Sequence, residues 1–469
     1  MATDDQEQPI ERRARPHARP SRTELYAQGK ALRSTCPRQS HAAWKPPADR
    51  PAPIELLGKA NEGRIPRLLP LRHGRMLQSP FVFFRGAALH MATDLAHTPT
   101  TGIYVQACGD CHLSNFGGFA TPERRLIFDI NDLDETLPAP WEWDLKRLAT
   151  SFVLAARDNG FGQREARKAA LTLVRSYRDR MIEFSRMRVL DVLYASIDVD
   201  WILKQMKNRR TRKGMAQRVA KARTRSVAEF DFPQMVSSEG GKIRIKDNPP
   251  LIYHIPDQDP NEVMAHVRKA FGAYLKTVPK NVRHILDQFD LVDIAVKVVG
   301  VGSVGTACAV LLLMAEERDP IFLQVKEARA SVLEPFAGAS EHANHGERIV
   351  VGSRIMQAAS DLFLGWTTGR EGLHFYVRQL KDMKVKVPIE LLGPTDLVQY
   401  AALCARALAR AHSCTGEAAR IAGYIGSGDV FPRAVTDFAI AYADQSERDH
   451  QTLKDAALAG RLEVFIEEA

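Results

Sequence analysis

Apolar residues recur at helical or strand spacing over most of this chain. From Leu68 the positions of Met76, Phe81, Phe83, Phe84, Ala87, Leu89 and Met91 predict helices, interrupted at Arg85-Gly86. A short β-like run, Ile103-Tyr104-Val105-Gln106, follows. Another helix opens at Pro140-Trp141-Glu142-Trp143-Asp144; there Asp144 is favoured by the helix dipole and can accept the helix's own unpaired N–H groups. Helical periods continue through 164–188, 190–206, 261–275 and 282–289, and 237–250 reads as a loop or hairpin. At Leu291 the period becomes strand-like: a strand, a glycine turn (Gly300-Val301-Gly302-Ser303-Val304-Gly305), a second strand, a turn at 316–320, and a third strand ending on Lys326. A helix over 344–360, a strand over 375–380, a connector at 381–384, a helix from Pro394 to His412 and a helix over 433–453 complete the chain.

The exceptions to this periodicity are informative. Residues 1–67 are rich in Pro, Arg and Ala with no sustained period, and read as a disordered or loosely docked basic arm. The remainder divides into a helical lobe over 68–290, a β-rich lobe over 291–390, and helices over 391–469 that return to the first lobe. The fold class is therefore α+β. Residues 298–315 form an uncharged run of membrane-spanning length, but its glycines fit two buried strands around a turn.

The 469 residues carry a formal net charge of +9, which is localised. Residues 1–67 contribute +5, the run from Lys204 to Arg225 contributes +10 with no acidic residue, and the rest is acidic. This distribution argues against a general nucleic-acid surface; it leaves the 204–225 run as a solvated face or a patch for an acidic partner. Six scattered cysteines do not make a disulfide framework, which points to a reducing, cytoplasmic compartment.

The densest chemistry lies in Cys108-Gly109-Asp110-Cys111-His112-Leu113-Ser114-Asn115 and in Asp129-Ile130-Asn131-Asp132-Leu133-Asp134-Glu135. C-x-x-C-H is the haem-attachment pattern, but that requires export, and the charged start of the chain has no apolar h-region. A zinc or redox role for C-x-x-C lacks a matching second pair, and Asn115-Phe116-Gly117-Gly118 beyond it reads as a loop. An Asp, an Asn five residues later and an Asp after the next strand suit phosphoryl transfer: Asp110, with His112 beside it, would serve an acceptor hydroxyl, while Asn115 and Asp132 would hold Mg²⁺. Asp129 and Asp134 are the alternatives to Asp132. Gly300, Gly302, Ser303 and Gly305 would cover the phosphates of ATP and Lys326 would reach them, with Glu347, or else Glu334, as the partner of Lys326. A Rossmann oxidoreductase reading of the glycines needs a helix after them, where the pattern predicts a strand.

Cys-Gly-Asp-x-His-x-x-Asn resembles the His-Gly-Asp-x-His-x-x-Asn catalytic loop of aminoglycoside and choline kinases, and Asp132 with Asp144-Leu145 twelve residues on resembles their metal-binding Asp and following helix. Cys108 stands where those kinases have His. The catalytic loop here precedes the glycine loop, so the resemblance implies a circularly permuted, bilobal protein-kinase-like fold, with the helix through Ala407-Leu408-Ala409-Arg410-Ala411-His412 leading toward the catalytic loop. From about Pro70 to Leu453 the chain also resembles a bacterial family, domain of unknown function 2252, through Asn131-Asp132-x-Asp134-Glu135, the glycine run, Leu323-Gln324-x-Lys326-Glu327-Ala328 and Tyr442-Ala443-Asp444-Gln445. That likeness implies no substrate. The expectation is an ATP·Mg²⁺-dependent phosphotransferase acting on a hydroxyl acceptor. Its rivals are a nucleotide-binding pseudokinase, an AMP-transferring enzyme, the NAD(P) oxidoreductase and a non-catalytic interaction protein.

Overall fold

The computed structural model describes residues 20–224, 232–239, 242–255, 259–298, 300–317, 319–380 and 383–467. Residues 1–19 of the expected arm, Arg225 of the basic run, Gly240 and Gly241 of the expected hairpin, Val299, Arg318 and the 381–382 connector lie outside them.

The architecture is α+β. Twelve strands are described: β1 (Tyr104–Ala107), β2 (Phe116–Ala120), β3 (Leu126–Ile130), β4 (Leu137–Pro140), β5 (Val236–Glu239), β6 (Lys242–Ile245), β7 (Ile252–Tyr253), β8 (Asp290–Lys297), β9 (Cys308–Met314), β10 (Pro320–Glu327), β11 (Gly365–Thr368) and β12 (His374–Gln379). The last six form one antiparallel sheet in the order β11-β12-β10-β9-β8-β7. Its central strands are apolar on both faces, and the period of two sorts their side chains. Leu311, Leu313, Ile321 and Leu323 pack on one side with Tyr274, Val282 and Leu286 from the helices Pro260–Tyr274 and Lys280–Leu286. Val310, Leu312, Met314 and Phe322 pack on the other with Met235 and Ile245 near the β5–β6 hairpin. The pairing places Cys308 and Tyr376 opposite Lys326, and Arg378 opposite Gln324, all on the Phe322 face.

The larger core is helical. Its axis is α1 (Trp141–Asp158), buried from Trp141 to Ala156. Around it pack α2 (Gln163–Arg186), α3 (Pro394–Ser413), α4 (Ala418–Ile425) and α5 (Val430–Leu458), together with the β1–β4 and β2–β3 pairs. In α2 the buried Ala166, Ala169, Ala170, Leu173, Val174, Tyr177, Met181 and Phe184 recur every three or four residues, the amphipathic spacing that gives the helix. A Phe→Ala change in such a core, as at Phe152, costs ~3–5 kcal/mol.

Three expectations are corrected. Residues 20–67 are docked, not loose: the helix Arg22–Ala31 crosses α4 so closely that a Cβ on Gly29 would lie 1.9 Å from the Arg420 carbonyl oxygen, and one on Gly423 would lie 2.1 Å from that of Tyr26. Arg50 bonds both Asp94 and Asp449 in the interior. The glycine-rich Phe116-Gly117-Gly118 segment is strand β2, paired with β3. The 190–206 stretch is two short helices, Val189–Tyr194 and Val199–Gln205. The basic run forms the helix Arg209–Thr224, with only Val219 and Ala222 buried. Residues 300–314 form a turn and a strand, and no described helix is long and apolar enough to cross a membrane.

Candidate active site

β1 delivers the chain to the Cys108–Asn115 loop, and the buried helix α1 holds that loop from below. Asp144 does not serve its own helix start. Its carboxylate accepts the N–H groups of Cys108 (2.6 Å) and Gly109 (2.9 Å) and faces His412 Nε2 at 3.1 Å. The other ring nitrogen of His412 faces the Tyr177 hydroxyl at 2.8 Å. Gly109 has φ +82°, and a Cβ there would lie 2.4 Å from the Glu135 carbonyl oxygen, so the loop needs glycine at this point. Ser151 accepts the Leu113 N–H, and the Tyr400 hydroxyl donates to the Leu113 and Phe116 carbonyls.

Asp110 faces Arg147, one α1 turn beyond Asp144. Nε and Nη2 of Arg147 both donate to Asp110 Oδ1, the Nε bond being 2.8 Å. Arg147 also donates to the Phe84 carbonyl and lies over the Phe84 ring, 4.4 Å from its centroid. The second oxygen, Asp110 Oδ2, has His112 Nε2 at 3.8 Å. Burial pulls the His112 imidazole down to about 3, so it is neutral near pH 7. Asn115 spends its Nδ2 on the Asp110 carbonyl (2.8 Å), which turns its amide oxygen away from that bond.

The acidic segment after β3 supplies three carboxylates with different surroundings. Asp129 is buried and accepts the Ile130 and Ala358 N–H groups, which makes it structural. Asp134 takes the Lys326 ammonium on Oδ2 at 2.6 Å and the Tyr376 hydroxyl on Oδ1. Burial opposes ionisation of Asp134, but Lys326 and the bonds from Asp132 and Tyr376 outweigh it and hold the carboxyl below its ordinary value. Asp132 is pushed up by burial and then by the charge of Asp134. Its Oδ1 lies 3.5 Å from Lys326 Nζ and is a buried oxygen with no hydrogen-bond partner. Asn115 and Asp132 line the same cavity, and an amide oxygen with a carboxylate oxygen that lacks a hydrogen bond is a donor pair of the kind that suits Mg²⁺. Cys108 offers its thiol to the Asp132 carbonyl at 3.6 Å, tying the two acidic segments together.

Asp110, His112, Asn115, Asp132, Asp134, Gly300, Gly302 and Ser303 line one cavity of about 330 Å³. Lys326 reaches it through Asp132 and Asp134. Gly305 closes the glycine turn with φ +88° and accepts the Ile65 N–H at 2.7 Å. Glu347 is not the partner of Lys326: its carboxylate faces His342 at 3.7 Å, Glu334 faces His345 at 3.8 Å, and Asp134 takes the lysine. The neighbouring Arg348 turns inward instead, donating to the Asp134, Thr136 and Arg329 carbonyls.

Cys108 and Cys111 are fully buried free thiols. The bond from Cys111 favours the Cys108 thiolate, but burial and the surrounding carboxylates push that thiol up to about 11. Neither sulfur is reachable for haem attachment, and among the described residues no group of three or more His, Cys, Asp or Glu is placed to hold a metal. The glycine turn leads into antiparallel β9, not into a helix as a Rossmann site requires.

Sequence reasoning missed Arg147, Arg348 and Tyr376, and the cavity-lining Lys59, Arg64, Arg72 and Arg85. One signal was available: Glu142, Asp144, Lys146 and Arg147 sit in a helix start otherwise made of Trp and Leu, and charges there need partners elsewhere. No curated protein and no solved structure matches the chain. A family model, uncharacterized protein conserved in bacteria (DUF2252), matches residues 64–456, and the chain belongs to that family.

Proposed function

We propose that this protein is an ATP·Mg²⁺-dependent phosphotransferase acting on a hydroxyl acceptor, with a bilobal kinase-like fold in circularly permuted order. The observation that carries the reading is the meeting of Lys326 with Asp132 and Asp134 across 192 residues of sequence, at a cavity also lined by Asp110, Asn115 and the glycine turn. A cation for phosphates, a carboxylate and amide for metal and a carboxylate for an acceptor are the parts that phosphoryl transfer needs in one place. The permutation is supported by α3, whose His412 and Tyr400 bond the anchor and backbone of the catalytic loop although they follow it by almost three hundred residues.

Asp110 works through Oδ2, because Arg147 occupies Oδ1. The acceptor O–H hydrogen-bonds to Oδ2. A bond forms between the acceptor oxygen and the γ-phosphorus, the bond from that phosphorus to the β–γ bridging oxygen breaks, ADP leaves, and the hydroxyl proton passes to Asp110. His112, being neutral, packs against Asp110 without competing for the proton. Lys326 exchanges part of its contact with Asp134 for phosphate oxygen. Mg²⁺ on Asn115 and Asp132 would offset phosphate charge.

The test is ATP consumption with a cell extract as acceptor source. Asp110→Asn keeps size and loses charge, so turnover should fall roughly 10²-fold or more with ATP affinity retained. Equal turnover in the two forms would remove Asp110 from catalysis.

A further inference from the structure

The same cavity is lined by three arginines that form no ion pair among the described residues. Arg64 donates to the carbonyls of Ala60 (2.8 Å) and Val304 (2.6 Å). Arg72 is 1% exposed and donates to Asn61 Oδ1, the Gly86 carbonyl and the Met76 sulfur, while its Nε has no partner. Arg85 makes no hydrogen bond or ion pair among the described residues; its Nε is buried without a partner, and its guanidinium lies 5.9 Å from the Phe81 ring centroid. None of the three meets a carboxylate. Burial lowers all three from the ordinary guanidinium value; Arg329 adds repulsion at Arg64, and Arg64 and Arg329 add it at Arg72, while Glu135 and Glu327 at Arg64 and Asp110 at Arg85 oppose the shift in part.

The carboxylates of the cavity act on these arginines only from beyond ion-pair distance, Asp110 on Arg85 and Glu135 and Glu327 on Arg64, and each has a nearer partner. Asp110 faces Arg147 and Asp134 faces Lys326. Glu135 accepts the Val332 N–H and Glu327 accepts the Ala307 N–H. Lys59 pairs with Glu55 at 2.9 Å on an exposed helix face. Holding several guanidiniums together out of water without an anion is costly, and a bound anion relieves both desolvation and mutual repulsion.

We propose that Arg85, which lines the cavity together with Arg72 and Arg64, forms the anion subsite of the acceptor, which is a hydroxyl compound already carrying a phosphate monoester. Three guanidiniums match a dianion better than a single carboxylate, and their planar donor sets suit phosphate oxygens. The subsite belongs with the acceptor because of its place in the chain. Phe84, next to Arg85, carries the Arg147 guanidinium on its carbonyl and ring, and Arg147 clamps Asp110. An anion on Arg85 therefore sits beside the group that receives the hydroxyl proton, while the nucleotide phosphates have Lys326, the glycine turn and the metal ligands. This assignment rests on the phosphotransfer reading.

The test loads the full chain with Mg²⁺ and adenylyl imidodiphosphate, which fills the γ-phosphate position without turnover, and then titrates inorganic phosphate by calorimetry. Phosphate should bind the loaded wild type, bind Arg85→Gln about tenfold or more weakly, and bind Arg85→Lys at an intermediate level, with nucleotide affinity unchanged in both variants. Competition between phosphate and the nucleotide, an equal loss of both ligands in Arg85→Gln, or no phosphate binding to the wild type would overturn the subsite. Phosphate binding that depends on Arg85, in a wild type that does not bind the nucleotide, would keep the anion site and retire the phosphotransfer reading.

Discussion

Two loops face each other across the cavity, and they are held by different means. The Cys108–Asn115 loop is fastened from the interior: Asp144, Arg147 and Ser151 of a buried helix bond its backbone and its Asp110 carboxylate, and His412 and Tyr400 of α3 brace it from the C-terminal part of the chain. The glycine turn is fastened from the N-terminal side, chiefly through its own carbonyls. Arg75 bonds the Gly300 carbonyl at 2.6 Å, Arg64 that of Val304, and the Ile65 N–H that of Gly305, while Val304 packs with Leu68 and Leu71. Charged anchors buried in a core fix atoms whose positions decide the chemistry. Bonds from neighbouring arginines to its carbonyls fix the glycine turn from outside the sheet that carries it. The difference also makes residues 57–85, outside both expected lobes in part, a working piece of the site.

The largest effect should come from cutting an interior anchor. Asp144→Ala orphans two N–H groups at ~1–3 kcal/mol each, so chemical denaturation should read a loss of about 2–6 kcal/mol. A loss under that range would mean that the loop holds itself.

Acid should act on the interior side next. Burial pulls His112, His90 and His41 to about 3, 4 and 3 in the fold, below their unfolded value of ~6.5. For a base with a lowered pKa, the unfolded chain takes up the proton first as pH falls. The contribution is complete above ~6.5 and is lost toward the folded values, at up to ~1.4 kcal/mol per pH unit for each histidine. Asp129 and Glu135, pushed up mainly by burial, take protons first in the fold and offset part of this. The thermal midpoint should still fall from pH 7 to pH 5; a rise would mean these imidazoles are charged in the fold.

The cover should be cheaper to loosen. Arg75→Ala loses a bond to Gly300 and a pair with Glu467, at about 0.5–1.5 kcal/mol for the hydrogen bond. A cost matching Asp144→Ala would erase the contrast between the loops. Smallest of all is Glu347→Gln, which should stay within ~0.5 kcal/mol and leave nucleotide binding unchanged.

The legible parts of this site were local in sequence. Asp110, Asn115 and Asp132 lie within one loop–hairpin unit, and the strand-like run ending on Lys326 marks the strand β10 that carries it. Its partner was misassigned because helical spacing fixes which residues share a face but not which face turns inward; the helix His345–Met356 presents Arg348 and leaves Glu347 to His342. β2 was read as a loop because glycine signals a break, whereas Gly117 sits where a Cβ would lie 2.9 Å from the Val385 carbonyl. The segment from Arg22 was read as loose because its contacts are about 390 residues away, as from Arg33 to the Gly423 carbonyl.

The most direct test of the account is calorimetric titration of ATP, with and without Mg²⁺, into the wild type and Asp132→Ala. Because Asp132 Oδ1 is a buried carboxylate oxygen without a hydrogen-bond partner among the described residues, Mg²⁺ should strengthen ATP binding to the wild type and not to the variant, with both forms equally folded. Equal Mg²⁺ enhancement in the two would contradict the metal site, and no ATP binding by the wild type under either condition would contradict the phosphotransfer reading.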